Sequence, residues 1–279
     1  QTPGFSGADI ANVCNEAALI AARKNKKAVD RQDFLDAIDR IVGGLERRSK
    51  IISPAEKRTI AYHEAGHATV SWWLPNANPL LKVTIIPRGN ALGAAWYLPE
   101  ERQITTTEQM MDEMAATLGG RAAEEIINGK ISTGAMNDLE KVTKQAYAMV
   151  TYFGMSDKVG NISFYDSSGN SGYNLSKPYS EKTAELIDAE AKGFIDSAHA
   201  TALKVLREHM DGFTRLAEML LEREVIFTDD LVKIFGERPG GQKPQSVTAE
   251  SAPEAAASAS TSSTADIQES HEEPAGQNA

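Results

Sequence analysis

The chain of 279 residues holds a single cysteine, Cys14. That excludes an internal disulfide and is what a reducing compartment expects. No apolar run is long enough to cross a bilayer and no leader-like segment opens the sequence, so the stretch reads as soluble, without a spanning helix or signal peptide. It begins with Gln1 rather than methionine, as a fragment or a processed form would. No basic stripe interleaved with aromatics is visible, which argues against a nucleic-acid surface. A G-x-x-x-x-G-K-[ST] phosphate loop is also missing; the nearest look-alike, Gly129-Lys130, runs on into Ile131. This stretch alone is therefore not expected to hydrolyse ATP. Positive charge stops at Lys243, after which come Glu250, Glu254, Asp266, Glu269, Glu272 and Glu273, and these account for most of the net charge of -10. Residues 237–279, rich in Pro, Ala, Ser, Thr and Glu, hold too few large apolar groups to fold and read as a disordered acidic tail.

What is present is more specific. Residues 63–67 read His-Glu-Ala-Gly-His. On a helix, an H-E-x-x-H spacing puts His63 and His67 one turn apart on one face, where both imidazoles reach a single metal ion. Glu64 points aside, able to take a proton from a water rather than to bind the metal. Such a match can arise by chance, with histidines that merely pack, but the context supports the metal. Ser53-Pro54-Ala55-Glu56 reads as a capping box with proline at the first helical position, so a helix is expected from Pro54 to about Leu74. Ile60, Ala61, Ala65, Ala68 and Val70 surround the motif with small or apolar groups. Gly66 inside a helix costs roughly 1 kcal/mol against alanine, so a close neighbouring backbone is expected there.

The apolar content of 41% supports a packed core, and the patterning divides the chain. Residues 1–48 read as two helices, one capped at Ser6 and running to about Lys26, one capped at Asp30 and stopped by Gly43-Gly44. Residues 49–236 read as mainly α with a small β-sheet. Strands are expected at Lys82–Pro87 and Gly93–Leu98 around a turn at 88–90. A helix opened at Thr105–Glu108 is expected to be interrupted at Gly119-Gly120. Another helix follows from about Asp138 to Phe153, and residues 160–179 read as a surface loop. Ser180 is expected to cap a long helix to about Met210, with one further helix and a last one capped by Thr228.

A catalytic zinc takes three protein ligands and keeps one position open. The metzincin pattern would put a third histidine where Trp73 stands. His199 and His209 read as solvated, and His271 lies in the tail. A carboxylate is therefore the expected third ligand. Glu124 and Glu125 on one helix and Asp138 at a loop-to-helix junction are the candidates, and spacing does not choose between them.

Five segments occur together and in order: T-P-G-F-S-G-A-D-I-A-N-V-C-N-E-A-A-L (2–19), H-E-A-G-H (63–67), K-V-T-I-I-P-R-G-x-A-L-G (82–93), G-G-R-A-A-E-E-I-I-N-G (119–129) and S-T-G-A-x-N-D-L (132–139). With them the chain resembles the FtsH family of membrane-anchored, ATP-dependent zinc metalloproteases over residues 1–236. The resemblance implies His63, His67 and Asp138 as zinc ligands, Glu64 as general base, and Glu124 as the group that orients a ligand histidine. It implies that residues 1–48 are the helical lid of an AAA+ ATPase, with Gly7 and Ala8 near the adenine. It further implies that the strand at Gly93–Tyr97 pairs with an extended polypeptide substrate. ATP and Mg2+ would belong to an ATPase core upstream of Gln1, as would the membrane anchor, and the family assembles as a homo-hexamer. Its location would be the cytoplasmic face of the bacterial inner membrane, or an organelle interior in a eukaryote. Two other readings compete: a ring-forming assembly module with little peptidase activity, and a stand-alone zinc peptidase. The complete H-E-x-x-H site weighs against the first and the lid-like segment against the second.

Overall fold

The computed structural model describes residues 5–45, 53–87, 92–97, 103–164 and 178–239, all within one compact unit, Gln1–Gly241. The expected turn at 88–90, most of the 160–179 loop and nearly all of the acidic tail lie outside the described residues. The architecture is mainly α with a small sheet. In chain order it runs α1 (Gly7–Arg23), α2 (Arg31–Gly43), α3 (Pro54–Trp73), β1 (Leu80–Thr84), β2 (Ala94–Tyr97), α4 (Thr107–Asn128), a 3-10 turn (Thr133–Ala135), α5 (Met136–Thr151), α6 (Glu181–Glu208), α7 (Met210–Arg223), β3 (Val225–Phe227) and α8 (Thr228–Phe235).

Helices α1 and α2 start where local chemistry says they should. Ser6 and Asp9 form one reciprocal capping box, Asp30 and Asp33 another. Gly44 takes φ 82° after α2, a conformation that suits a residue without a Cβ. The pair packs around its own small cluster of Val13, Ala17, Ile20 and Ala37. Asp33 is fully buried in it, answered by the ammonium groups of Lys24 and Lys26 at 3.1 and 2.9 Å.

The main core is built around α3. Every residue from Ile60 to Trp72 is buried, so over this stretch the helix has no solvent face. It packs against α4, α6, α7 and β1. Its close neighbour is α4, and the reason is glycine on both sides. A Cβ built on Gly66 would stand 2.4 Å from the Gly119 carbonyl oxygen, and one on Gly119 would stand 2.6 Å from the Gly66 carbonyl oxygen. The close backbone expected from Gly66 is therefore present. The interruption expected at Gly119-Gly120 is not: α4 is continuous from Thr107 to Asn128. Helix propensity counted these glycines as a break, whereas here Gly119 lets two helices touch backbone to backbone.

The sheet has the order β2-β1-β3, antiparallel throughout, with an irregularity between Leu80 and Lys82. Val83 pairs with Ala95 and with Ile226, and Val83 and Ile226 are fully buried against the core. Lys82 and Trp96 pair on the opposite face, where the ammonium lies 4.8 Å from the ring centroid. Strand β1 begins two residues earlier than its β-branched run suggested. Strand β3 has no signal in the sequence, being three residues that pair with β1 far away in the chain. Thr228 opens α8, yet its hydroxyl does not cap that helix; it donates to the carbonyls of Leu80 and Leu81 at 2.7 and 3.0 Å, tying α8 to β1. Arg238 donates to the carbonyls of Leu74 and Ala77, holding the C-terminal end of α3.

Candidate metal centre

Position separates the three carboxylate candidates. His63 and His67 stand one turn apart on α3, with Nε2 atoms 3.0 Å apart. Asp138 enters from the first turn of α5, its Oδ2 lying 3.3 Å from His63 Nε2 and 3.4 Å from His67 Nε2. Among the described residues these three make the one cluster of His, Cys, Asp and Glu able to hold a metal. Glu125 points away, to the partly exposed ring of His199 at 3.4 Å. His209, expected to be solvated, instead stacks on Trp73 with centroids 3.7 Å apart.

The donor set fits zinc in both distance and tautomer. Ligands about 2.0–2.1 Å from a tetrahedral ion lie about 3.3 Å from one another, close to the three separations above. His67 Nδ1 lies 2.9 Å from the Ala116 carbonyl oxygen. A carbonyl only accepts, so Nδ1 carries the proton. His63 Nδ1 lies 2.8 Å from Glu124 Oε1, a carboxylate. As neutral rings, both therefore turn an Nε2 lone pair to the same point, an arrangement that suits a cation between them. Space is kept for them by Gly120, where a Cβ would fall 2.4 Å from His63 Nε2 and 2.6 Å from His67 Nε2.

Charge points the same way. Burial pushes His63 down, but its contacts with Asp138 and Glu124 outweigh that and hold it up at about 10, so without a cation the carboxylates draw a second proton onto Nε2, and a metal ion would displace it. Burial works to raise Asp138, but the two imidazoles hold it well below the usual carboxylate range. Glu124 is also held low, against its burial, by His63 and Ser132, whose backbone N–H donates to Oε2 at 2.8 Å. Glu124 is 2% exposed and meets His63 at Nδ1, outside the three converging donor atoms. Replacing it with glutamine is expected to weaken zinc binding about 10- to 100-fold, measured by competition with a chromophoric chelator. An unchanged affinity would remove Glu124 from the site.

Glu64 does not join the three donors. Its side chain turns under the approach to β2, so that a Cβ on Gly93 would stand 2.7 Å from Oε1. Burial raises its proton affinity above that of an ordinary carboxyl, while His67 and His63 pull the other way. His63, Glu64, His67 and Asp138 all line one cleft of about 660 Å³, whose other wall includes Gly93, Ala95 and Tyr97. From sequence, Tyr97 is named only as the end of the strand that the resemblance implies pairs with substrate. Gly7 and Ala8 are exposed in the first turn of α1, and nothing in the described residues brings them to this cleft.

A helix-borne His-His-Asp donor set with an adjacent buried glutamate, at the floor of a cleft edged by a strand, defines a metal-dependent peptidase site. Comparison with known proteins agrees. Residues 50–234 match peptidase family M41 and residues 1–36 match the AAA+ lid domain. The chain belongs to peptidase family M41. It is 66% identical over 238 residues to the ATP-dependent zinc metalloprotease FtsH of Parabacteroides distasonis, an alignment covering 85% of this chain and 35% of that protein. It is 55% identical over 247 residues to the FtsH of Rhodothermus marinus, covering 88% and 35%. The mitochondrial inner membrane m-AAA protease component AFG3L2 of Mus musculus is 52% identical over 242 residues, covering 87% and 30%. The chain thus spans about a third of the length of these relatives. Among the described residues no helix is long and apolar enough to cross a membrane.

Proposed function

We propose that this chain carries the proteolytic end of an ATP-dependent zinc endopeptidase that degrades unfolded or membrane-extracted polypeptides. The observation that carries the reading is the triangle of His63 Nε2, His67 Nε2 and Asp138 Oδ2 with Glu64 beside it. His63, His67 and Asp138 would hold the ion. Zinc, when bound, supplies a Lewis acid that polarises the scissile carbonyl and makes a neighbouring water more acidic. Glu64 takes the proton of the attacking water and returns it to the leaving amine. Glu124 and the Ala116 carbonyl fix both imidazoles in the tautomer the ion needs. Strand β2 is at an edge of the sheet, and an extended substrate adding to it would lie across the cleft.

The division of the chain goes with this reading: an AAA+ lid over 1–48, the peptidase over 49–236 and an acidic tail over 237–279. Gly7 and Ala8 would approach nucleotide only when an ATPase core supplies it with Mg2+. Assembly as a homo-hexamer and a membrane anchor elsewhere in the full-length protein are part of the same proposal, as is a position on the cytoplasmic face of a bacterial membrane.

The test is zinc content and casein hydrolysis on the same preparations. The parent is expected to hold about one zinc per chain. Asp138→Asn should lose the metal and cleavage together. Glu64→Gln should keep the metal and lose cleavage by about 100-fold or more. If Glu64→Gln cleaves at the parental rate, the role given to Glu64 is wrong; if the parent holds zinc yet cleaves nothing, the assembly-module reading gains.

A further inference from the structure

We infer that Tyr97 is a substrate-facing hydrogen-bond donor of this site, its hydroxyl stabilising the oxyanion that forms at the scissile carbonyl; the inference rests on the zinc-peptidase reading above. Gly93, Ala95 and Tyr97 fall at alternate positions leading into and along β2, so they share one face of the strand. The contact a Gly93 Cβ would make with Glu64 identifies that face as the one turned to the proposed base. Tyr97 borders the same cleft as Glu64 and Asp138. Its ring packs against the main core and pairs across the sheet with Leu80, which is 3% exposed. The aromatic body is thus anchored, and the hydroxyl lies near enough to Glu64 and Asp138 to feel both charges.

That hydroxyl is uncommitted. The Tyr147 hydroxyl donates to Asp188 at 2.9 Å, whereas among the described residues the Tyr97 hydroxyl makes no hydrogen bond. Burial, with Glu64 and Asp138 nearby, holds the phenol above its ordinary range, so it keeps its proton and remains a donor. The reaction has need of one. When the water oxygen bonds to the carbonyl carbon, the water's proton goes to Glu64 and the C=O π pair moves onto oxygen. A donor already aimed at that oxygen binds the transition state more tightly than the ground state. The imidazoles cannot take this part, because each Nδ1–H is committed and each Nε2 faces the metal position. A tyrosine that served only as an apolar wall would need no hydroxyl, and this is where the two roles separate.

The experiment compares the parent with Tyr97→Phe in the full chain, reading zinc content, thermal midpoint, kcat and KM on an internally quenched peptide, and the affinity of a peptide phosphonamidate, whose tetrahedral oxygens imitate the oxyanion. The variant is expected to keep about one zinc per chain, the parental midpoint and a KM within about twofold, while kcat falls about 10- to 100-fold. Phosphonamidate affinity should fall by a similar factor. If kcat and phosphonamidate affinity both stay within about twofold of the parent, Tyr97 is not the donor. Loss of zinc or of the folded midpoint in Tyr97→Phe also overturns the inference, since it makes the hydroxyl structural. A parent that holds zinc yet neither cleaves nor binds the phosphonamidate overturns the peptidase reading itself, whereas a competent parent with an equally competent Tyr97→Phe overturns this inference alone.

Discussion

Replacing Gly120 with alanine is expected to abolish zinc binding and proteolysis while leaving the chain as well folded as before. The added Cβ would sit 2.4 Å from His63 Nε2, 2.5 Å from His63 Cε1 and 2.6 Å from His67 Nε2, in the space where the metal-binding nitrogens converge. Its neighbours are the far ends of side chains, and these can swing aside without moving the backbone. When they do, the donor triangle with Asp138 opens. Zinc affinity should fall about 100-fold or more, at least the cost of disturbing groups that merely support a site. Stability should move the other way, because alanine in a helix interior is favoured over glycine by roughly 1 kcal/mol. The measurement is zinc content by metal analysis beside the thermal midpoint in excess chelator, which removes the metal's own contribution to stability. A Gly120→Ala protein that keeps one zinc at the parental affinity would show that the rings do not rest on this glycine and would sink the proposed packing.

Much of this site can be read from the sequence, and the parts that cannot share one cause. Ser6 and Asp30 begin their helices by contacts within three residues, and those contacts exist as expected, whereas α4 is capped by Thr106 with Gln109, one residue later than the expected opening at Thr105–Glu108. His63, Glu64 and His67 are legible for the same reason, since one helical turn fixes their relation. The third ligand is not of this kind. Asp138 meets the histidines only because α4, the 3-10 turn and α5 bring it back across the cleft, and Glu124, which also bonds His63, is likewise distant in the chain, 61 residues on. Spacing ranks neither; resemblance to a family does. Strand β3 is invisible because its three residues take their conformation from β1. Thr228 looks like a cap, but its hydroxyl is drawn to carbonyls of β1 by the packing of α8. Tyr97 stands in the sequence only as the end of an expected strand; the placement of β2 over Glu64 makes its hydroxyl a candidate for chemistry.

Gly119-Gly120 shows the same limit in a sharper form, because two adjacent glycines serve different ends. Gly120 leaves room for the imidazoles, whereas Gly119 meets Gly66 where α3 and α4 cross. A Cβ on Gly66 would stand 2.4 Å from the Gly119 carbonyl oxygen and 2.6 Å from Ala123 Cβ; one on Gly119 would stand 2.6 Å from the Gly66 carbonyl oxygen and 3.0 Å from His67 Cα. Here the obstacle is mostly backbone, so relief requires two buried helices to separate. Gly66→Ala and Gly119→Ala are each expected to cost about 3 kcal/mol in overpacking, less roughly 1 kcal/mol recovered as helix propensity. At about 2–4 °C per kcal/mol for a domain of this size, each midpoint should fall by roughly 4–8 °C. The double variant should cost less than the two singles together, because separation forced by one Cβ already makes room for the other. A coupling of about 1 kcal/mol or more is expected from a chelator-treated double-mutant cycle. Costs that add to within about 0.5 kcal/mol would mean that the helices do not move as bodies and that each Cβ is absorbed locally. Zinc binding should weaken in step with stability in these variants. Parting α3 from α4 draws the Ala116 carbonyl and Glu124 away from the Nδ1 atoms of His67 and His63, and those two bonds are what turn both Nε2 atoms to the metal.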